Sequence, residues 1–478
     1  MKWLISAWGD PSGWKEVEYH YKGESIKSAN HLGLVQKVEN PNETLIMVGD
    51  SLAYPSVVGK DVKTYDSLRE KLENYIKEQY FEKFQIKSAK LVILPGGKGT
   101  YFWRRSQEYL AIEGESKDLK FVALWNFIQL LERNLKEIFE EEYLEVIFDA
   151  SHGWNFVPIM VYQALGLVLE IISFFGVDIT FKMIASEPFV DENTPLNVVE
   201  IEEKKIPIGV YRYKAKEGTT YVSSLGLLDK RFSSLKGQLG KFIKKEYQNL
   251  IVKDIPLIIG AFYNGLPLAV KTFHTPTNRI KPLIDKLFEV YYNGITLSVE
   301  GNKTSIRRAL CFHPYTEVLL VSYLYNLLTE ALSDSYFLER KEVSLKELRD
   351  FACKLFAKDE KKLIAITKEL GDCEGRTKGE IASVVEKLLN EGKSLNCWKR
   401  LKELIEGEEE NESNVEAKKD KAKKESIAER NFLAHAGLSR AEIELKYSPA
   451  GKDIFIRYNP NRLEQIKTWV LKGLTEIE

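Results

Sequence analysis

The sequence predicts an α/β unit with a mostly parallel, doubly wound sheet, followed by a connector and an α-helical half (α/β + α). Three observations carry this. Across roughly the first 200 residues, short Val/Ile/Leu-rich runs alternate with stretches of helical apolar spacing, the pattern of strand–helix–strand repetition. From about Asp254 onward the spacing is helical almost throughout. A chain of 478 residues is long enough for several domains, each with its own core.

The strands expected in the first half are Lys2–Ala7, Thr44–Val48, Leu91–Leu94, Leu144–Phe148, Ile179–Ile184 and Asn197–Ile201, each apolar enough to be buried on both faces. Between them Tyr65–Glu82, Phe121–Glu142 and Pro158–Phe175 read as helices. The apolar stretch Phe156–Val177 contains Gln163 and Glu170 and reads as a buried crossover helix rather than a membrane span. Ile206–Ala215 and Thr219–Leu225 flank Lys216-Glu217-Gly218 and read as a hairpin in a connector. Helices follow at Pro282–Tyr292, Tyr315–Leu332, Leu345–Ala357, Lys361–Leu370 and Lys378–Leu389, with a last one from about Pro460 to Leu474. Glu408–Lys424 is almost free of apolar side chains and reads as an exposed charged insertion. The expected division is 1–204, 205–290 and 291–478.

Composition narrows the function. The 69 basic and 70 acidic residues leave a net charge of −1, which argues against a surface coated with positive charge for duplex DNA or an anionic membrane. It leaves room for a local site, because Leu401–Glu412 holds six acids against one Lys while Ser413–Arg430 holds six basic residues against four acids. Cys311, Cys353, Cys373 and Cys397 form no CxxC pair and read as reduced thiols of a cytosolic protein. Abundant Lys and Glu with few Cys and Met also fit a thermophile. Leu94-Pro95-Gly96-Gly97-Lys98-Gly99-Thr100 lacks the spacing of a nucleotide-binding P-loop, and no GxGxxG or G-x-S-x-G occurs. The six histidines include no two within four residues, so no local zinc motif exists.

Ligands of doubly wound sheets settle at the carboxyl ends of the strands. The loop after the first strand, Ala7-Trp8-Gly9-Asp10-Pro11-Ser12-Gly13-Trp14, offers close backbone approach and two aromatic faces for a nucleobase; it could equally be a turn with packed aromatics. After the fourth strand, Asp149-Ala150-Ser151-His152-Gly153-Trp154-Asn155 leads into a helix whose N-terminus suits a phosphate, unless Ser151 or Asn155 merely caps it. Asp50 and Ser51, after the second strand, are further lining candidates. The last cluster is Glu429-Arg430-Asn431-Phe432-Leu433-Ala434-His435-Ala436-Gly437. Arg with His and no metal suits RNA cleavage, the His moving a proton and the Arg holding the phosphate, with Asn431 able to orient either. The alternative is a surface Arg and a His at a helix end. Arg430 and His435 lie about 140° apart round one helix, so they do not meet on one face.

These pieces together resemble the CRISPR-associated type III accessory ribonucleases, which join a CARF sensor domain to a HEPN nuclease domain. Trp8-Gly9-Asp10-Pro11 and Ser151-His152-Gly153-x-Asn155 look like the two ligand loops, and Arg430-Asn431-Phe432-Leu433-Ala434-His435 matches the HEPN motif. The resemblance implies a Rossmann-like CARF domain that dimerises and binds cyclic oligoadenylate, usually cyclic tetra-adenylate, made by a type III CRISPR effector complex. It implies a composite HEPN site at the two-fold axis of a homodimer or higher oligomer, cutting single-stranded RNA without metal or other cofactor, in the cytoplasm and away from membranes. Two copies of one helix would resolve the 140° separation. On this reading Arg430, Asn431 and His435 are catalytic. Trp8, Gly9, Asp10, Pro11, Trp14, Asp50, Ser51, Ser151, His152, Gly153 and Asn155 bind the activator. The competing expectation is a nucleotide-sensing CARF transcriptional regulator whose connector binds duplex DNA, and a further possibility is a CARF half that degrades its own activator.

Overall fold

The computed structural model describes residues 1–104, 106–153, 156–211, 225–242, 254–333, 335–340, 342–392, 395–406, 418–448 and 453–471. Ten strands belong to the first 205 residues: β1 (Lys2–Trp8), β2 (Val17–Tyr21), β3 (Glu24–Ser28), β4 (Glu43–Gly49), β5 (Lys90–Leu94), β6 (Gly99–Trp103), β7 (Glu108–Glu113), β8 (Tyr143–Asp149), β9 (Asp178–Ser186) and β10 (Leu196–Lys205). Eight of them form one sheet in the order β3-β2-β10-β9-β8-β1-β4-β5. The five consecutive strands from the β5 edge, β5-β4-β1-β8-β9, are parallel, whereas β10 runs antiparallel to β9. β1 and β4 are buried at all but their first residue, which is why they appear as unbroken apolar runs in the sequence. The strand order reverses between β1 and β8, so the crevice above Trp8 and Asp149 is the topological switch point of the sheet.

Helices Tyr65–Ile76, Asp118–Glu141 and Val157–Phe174 lie where their spacing predicts, the first running on into one π-helical turn at Lys77–Phe81. Val157–Phe174 is long and apolar enough to cross a membrane. It nevertheless links the hydrogen-bonded parallel strands β8 and β9, with Val161, Leu165, Val168 and Ile172 sealed from solvent, and is therefore a crossover helix.

The second half is more mixed than the helical spacing suggested. Strands β11 (Leu225–Leu227) and β14 (Leu310–Phe312) pair, and β12 (Ile295–Glu300) and β13 (Lys303–Arg308) form a hairpin. β13 then runs parallel to β7, so a four-stranded sheet β12-β13-β7-β6 joins the start of the third division to the first domain. Near the C-terminus β15 (Val343–Ser344), β16 (Lys399–Arg400), β17 (Ile443–Ser448) and β18 (Asp453–Tyr458) form a sheet in the order β15-β18-β17-β16. Helices Thr277–Asn293, Pro314–Leu332, Leu345–Leu355, Glu360–Leu370, Glu380–Asn390 and Leu463–Leu471 follow the expected pattern. Most of the expected hairpin at 206–225 lies outside the described residues. The charged insertion does so only as far as residue 417; Lys418 already begins the helix Lys418–Ala434.

The expectation of four reduced thiols is corrected by the fold. The turn after Glu360–Leu370 folds back on the preceding helix pair and brings Cys373 to Cys353, with Cα atoms 5.6 Å apart and a disulfide between them; Cys311 and Cys397 stay free.

One buried ion pair fastens the β12–β13 hairpin to the large sheet. Arg308, the last residue of β13, and Asp50, immediately after β4, are both fully buried and bonded to each other. Asp50 also accepts from Gly96 N at 2.7 Å and Tyr65 Oη at 2.8 Å, while Arg308 Nη1 donates to Gly96 O at 3.1 Å. Removing one partner leaves an uncompensated charge in the interior. Asp50→Asn is expected to cost about 3–5 kcal/mol of unfolding free energy in denaturant titration, with much of it recovered in Asp50→Leu/Arg308→Met. A loss below about 1 kcal/mol for the single variant would contradict this assignment.

Candidate functional site

The switch-point crevice is built by the loops leaving β1 and β8. Gly9 N donates to His152 O at 2.6 Å, so the two loops are joined directly. Gly153 makes the approach possible: a Cβ there would lie 1.9 Å from Pro158 Cγ and 3.2 Å from Ala7 O. Asp10 accepts from Ser12 N at 2.9 Å and starts the short turn Pro11–Gly13, which delivers Trp14 to the ring of His152, centroids 4.5 Å apart. Beneath lies a network around the fully buried Asp149. Its carboxylate accepts from Ser6 Oγ (2.7 Å), Ser151 Oγ (2.5 Å) and Ser151 N (3.0 Å), and stands 3.2 Å from His31 Nε2. Ser151 Oγ also accepts from Ser186 N at 2.9 Å. Burial alone would raise the Asp149 carboxyl, but His31, with His152 and Ser151 behind it, holds it well below the usual carboxylate range.

The expected ligand residues therefore fall into two layers. Gly9, His152 and Gly153 form the joint between the two loops, and Asp10 and Pro11 build the turn that brings Trp14 against His152. Trp8 was expected to offer a face and Asp50 to line the pocket, and neither is placed to do so. Trp8 is 1% exposed, donates Nε1 to Ser6 Oγ at 3.0 Å, and has Trp14 and Phe84 against its ring. Asp50 is spent on Arg308. Ser51 is buried behind Gly49, and Ser151 is turned down into the Asp149 network. Asn155 lies outside the described residues. His31 joins this network without any local signal, since it precedes the helix Leu32–Glu39 as an apparently ordinary helix-entry residue.

The second site is a cleft of about 380 Å³ lined by Asn431 and His435 together with Glu369, Glu380, Lys402, Arg440 and hydrophobic neighbours. Helix Lys418–Ala434 ends just before His435, whose N donates to Asn431 O at 3.0 Å. Ala436 and Gly437 then take left-handed backbone angles, and Gly437 N returns to Phe432 O at 2.9 Å, closing the helix. Phe432 is fully buried and anchors this end, while Arg430 stands exposed and is not among the residues lining the cleft. One chain thus brings Asn431 and His435 together and leaves Arg430 outside.

His435 Nδ1 lies 2.7 Å from Glu369 Oε1. Glu369, Glu380 and His435 each offer a ligand atom within 4.8 Å of the others, a donor set that the sequence spacing did not disclose because three separate elements supply it. The short contact favours a hydrogen bond over shared coordination, since two donors about 2.0 Å from one tetrahedral Zn²⁺ stand about 3.3 Å apart.

Comparison with known proteins finds two domains of one family in this chain. The model described as "CRISPR system endoribonuclease Csx1, CARF domain" matches residues 3–188, and that described as "CRISPR system endoribonuclease Csx1, HEPN domain" matches residues 373–461. The chain belongs to the CRISPR accessory CARF–HEPN ribonucleases. It is 25% identical over 492 residues to the CRISPR system endoribonuclease Csx1 of Methanocaldococcus jannaschii, covering 99% of this chain and 95% of that relative. The crevice at β1 and β8 lies in the CARF domain, and Arg430, Asn431 and His435 lie in the HEPN domain. Glu369 precedes the matched HEPN segment by four positions.

The CARF crevice has a testable acid response. Burial, reinforced by neighbouring His31, pushes the His152 imidazole down to about 3 from its ordinary 6.5, and its Nε2 is sealed with no hydrogen-bond partner among the described residues. His152 is thus neutral in the folded chain and gains a proton on unfolding below pH 6.5. Its contribution to stability is full above that pH and declines as pH falls towards 3. Unfolding free energy measured between pH 6.5 and 4 is expected to fall less steeply in His152→Gln than in the parent. Identical slopes would contradict a neutral, buried His152.

Proposed function

We propose that this CRISPR-associated ribonuclease is switched on by cyclic oligoadenylate, most economically cyclic tetra-adenylate, and cuts single-stranded RNA without a metal ion. The observation that carries the reading is the placement of His435 and Asn431 on the wall of the HEPN cleft, at the end of the helix that also bears Arg430. In the proposed reaction His435 takes the proton from the RNA 2′-hydroxyl or returns one to the leaving 5′-oxygen. Arg430 binds the scissile phosphate and offsets its developing charge, and Asn431 orients them. Because Arg430 is exposed and does not line its own chain's cleft, a second copy supplies the missing half of the groove, in a homodimer or higher oligomer.

The activator would sit over the β1–β8 crevice, its bases against Trp14 and His152 and its phosphates near the backbone of residues 9–13 and 151–153. A cytoplasmic protein serving a type III effector complex fits this role. The domain limits consistent with it remain 1–204, 205–290 and 291–478.

The test is cleavage of a single-stranded RNA by purified protein in EDTA, with and without cyclic tetra-adenylate. Cleavage is expected only with the ring, and Arg430→Ala and His435→Ala are expected to lower it roughly 100-fold or more while still binding the ring. A requirement for a divalent ion, or full activity in either variant, would overturn the reading.

A further inference from the structure

One neighbour of His435 has no role in that scheme. Glu369, next to last in the helix Glu360–Leu370, is 4% exposed yet places Oε1 2.7 Å from His435 Nδ1. Burial pushes its carboxyl up, and the bond to His435 is the largest influence in the opposite direction. A carboxylate taken out of water needs such a partner. The other nearby acid, Glu380, faces Lys368 Nζ at 3.4 Å.

The backbone carrying Glu369 is tightly held. A Cβ on Gly379 would lie 2.2 Å from the Glu369 carbonyl oxygen, so only glycine lets the chain pass there. The intervening turn is closed by Asp372, whose carboxylate accepts from Arg376 N at 2.8 Å and Thr377 N at 2.9 Å. The Cys353–Cys373 disulfide fastens the same turn to the helix Leu345–Leu355. The carboxylate is presented from a rigid support, as a residue that orients another must be.

We infer that Glu369 is a positioning residue for His435. Its carboxylate accepts Nδ1–H, fixes the ring tautomer and rotamer, and leaves Nε2 as the nitrogen offered to RNA. In that state Nε2 carries the lone pair that accepts the 2′-hydroxyl proton, and Glu369 stabilises the imidazolium formed. The inference rests on the proposed role of His435 and adds a residue outside the matched HEPN segment.

The experiment uses the full-length protein with saturating cyclic tetra-adenylate and an RNA substrate. Glu369→Gln is expected to lower kcat roughly 10–100-fold, with the KM for RNA and the affinity for the ring within twofold of the parent. Imidazole ¹⁵N NMR of the parent is expected to show His435 protonated at Nδ1 when neutral, and the Gln variant to lose that preference. Wild-type kcat in Glu369→Gln, with His435→Ala inactive, would overturn this inference alone. Full activity in His435→Ala would instead overturn the proposed site. If Glu369→Gln melts too early to assay, the parent spectrum decides: an Nε2-protonated neutral ring contradicts the inference.

Discussion

The buried pair between Arg308 and Asp50 is the constraint on which the arrangement of the chain depends. Asp50 sits at the carboxyl end of β4, and Arg308 reaches it from β13, 258 residues later. Both charges are sealed, so each is tolerable only with the other in place. The pair also holds Gly96, at the end of β5, from both its N–H and its carbonyl. Strand β13, from beyond the connector, is thereby fastened to the same end of the sheet at which the activator is proposed to bind. The pairing of β13 with β7 extends this tie along a shared sheet.

Both sites follow a common plan, in which a buried carboxylate sits under or beside a histidine. In the CARF domain Asp149 collects Ser6, Ser151 and His31 below the crevice, and His152 lies above them against Trp14. In the HEPN domain Glu369 meets His435 at the wall of an open cleft. The chemistry differs because the surroundings differ. The Asp149 network is closed to water and organises a rim, whereas the ring of His435 is 39% exposed and available to a polymer. On the proposed reading the positive charge for RNA is local, from Arg430 and from Lys402 and Arg440 at the cleft, and such a role is compatible with a net charge of −1.

What could be read from the sequence was what local pattern determines. β1, β4, β5 and β8 are mostly buried on both faces and announce themselves as apolar runs, and the loops leaving β1 and β8 meet at the switch point. The hairpins β2–β3, β6–β7 and β12–β13 were not legible, because half-exposed strands such as Lys303-Thr304-Ser305-Ile306-Arg307-Arg308 carry too few apolar residues. Trp8 and Asp50 illustrate a second limit. Their position at strand ends was right, but which way a side chain turns depends on partners such as Phe84 and Arg308 that no local window contains. Glu369, His31 and the Cys353–Cys373 bond were hidden for the same reason, since each acquires its meaning from a residue brought near only by the fold.

The central chemical claim is that the substrate's own 2′-hydroxyl is the nucleophile, with His435 moving the proton and Arg430 holding the phosphate. The ends of the cleaved RNA report this directly. Analysis of products formed in EDTA with cyclic tetra-adenylate should find 2′,3′-cyclic phosphate and 5′-hydroxyl termini, and a 2′-deoxy substitution at the scissile nucleotide should stop cleavage there. Products bearing 3′-hydroxyl and 5′-phosphate ends, or undiminished cleavage after the 2′-deoxy nucleotide, would contradict it.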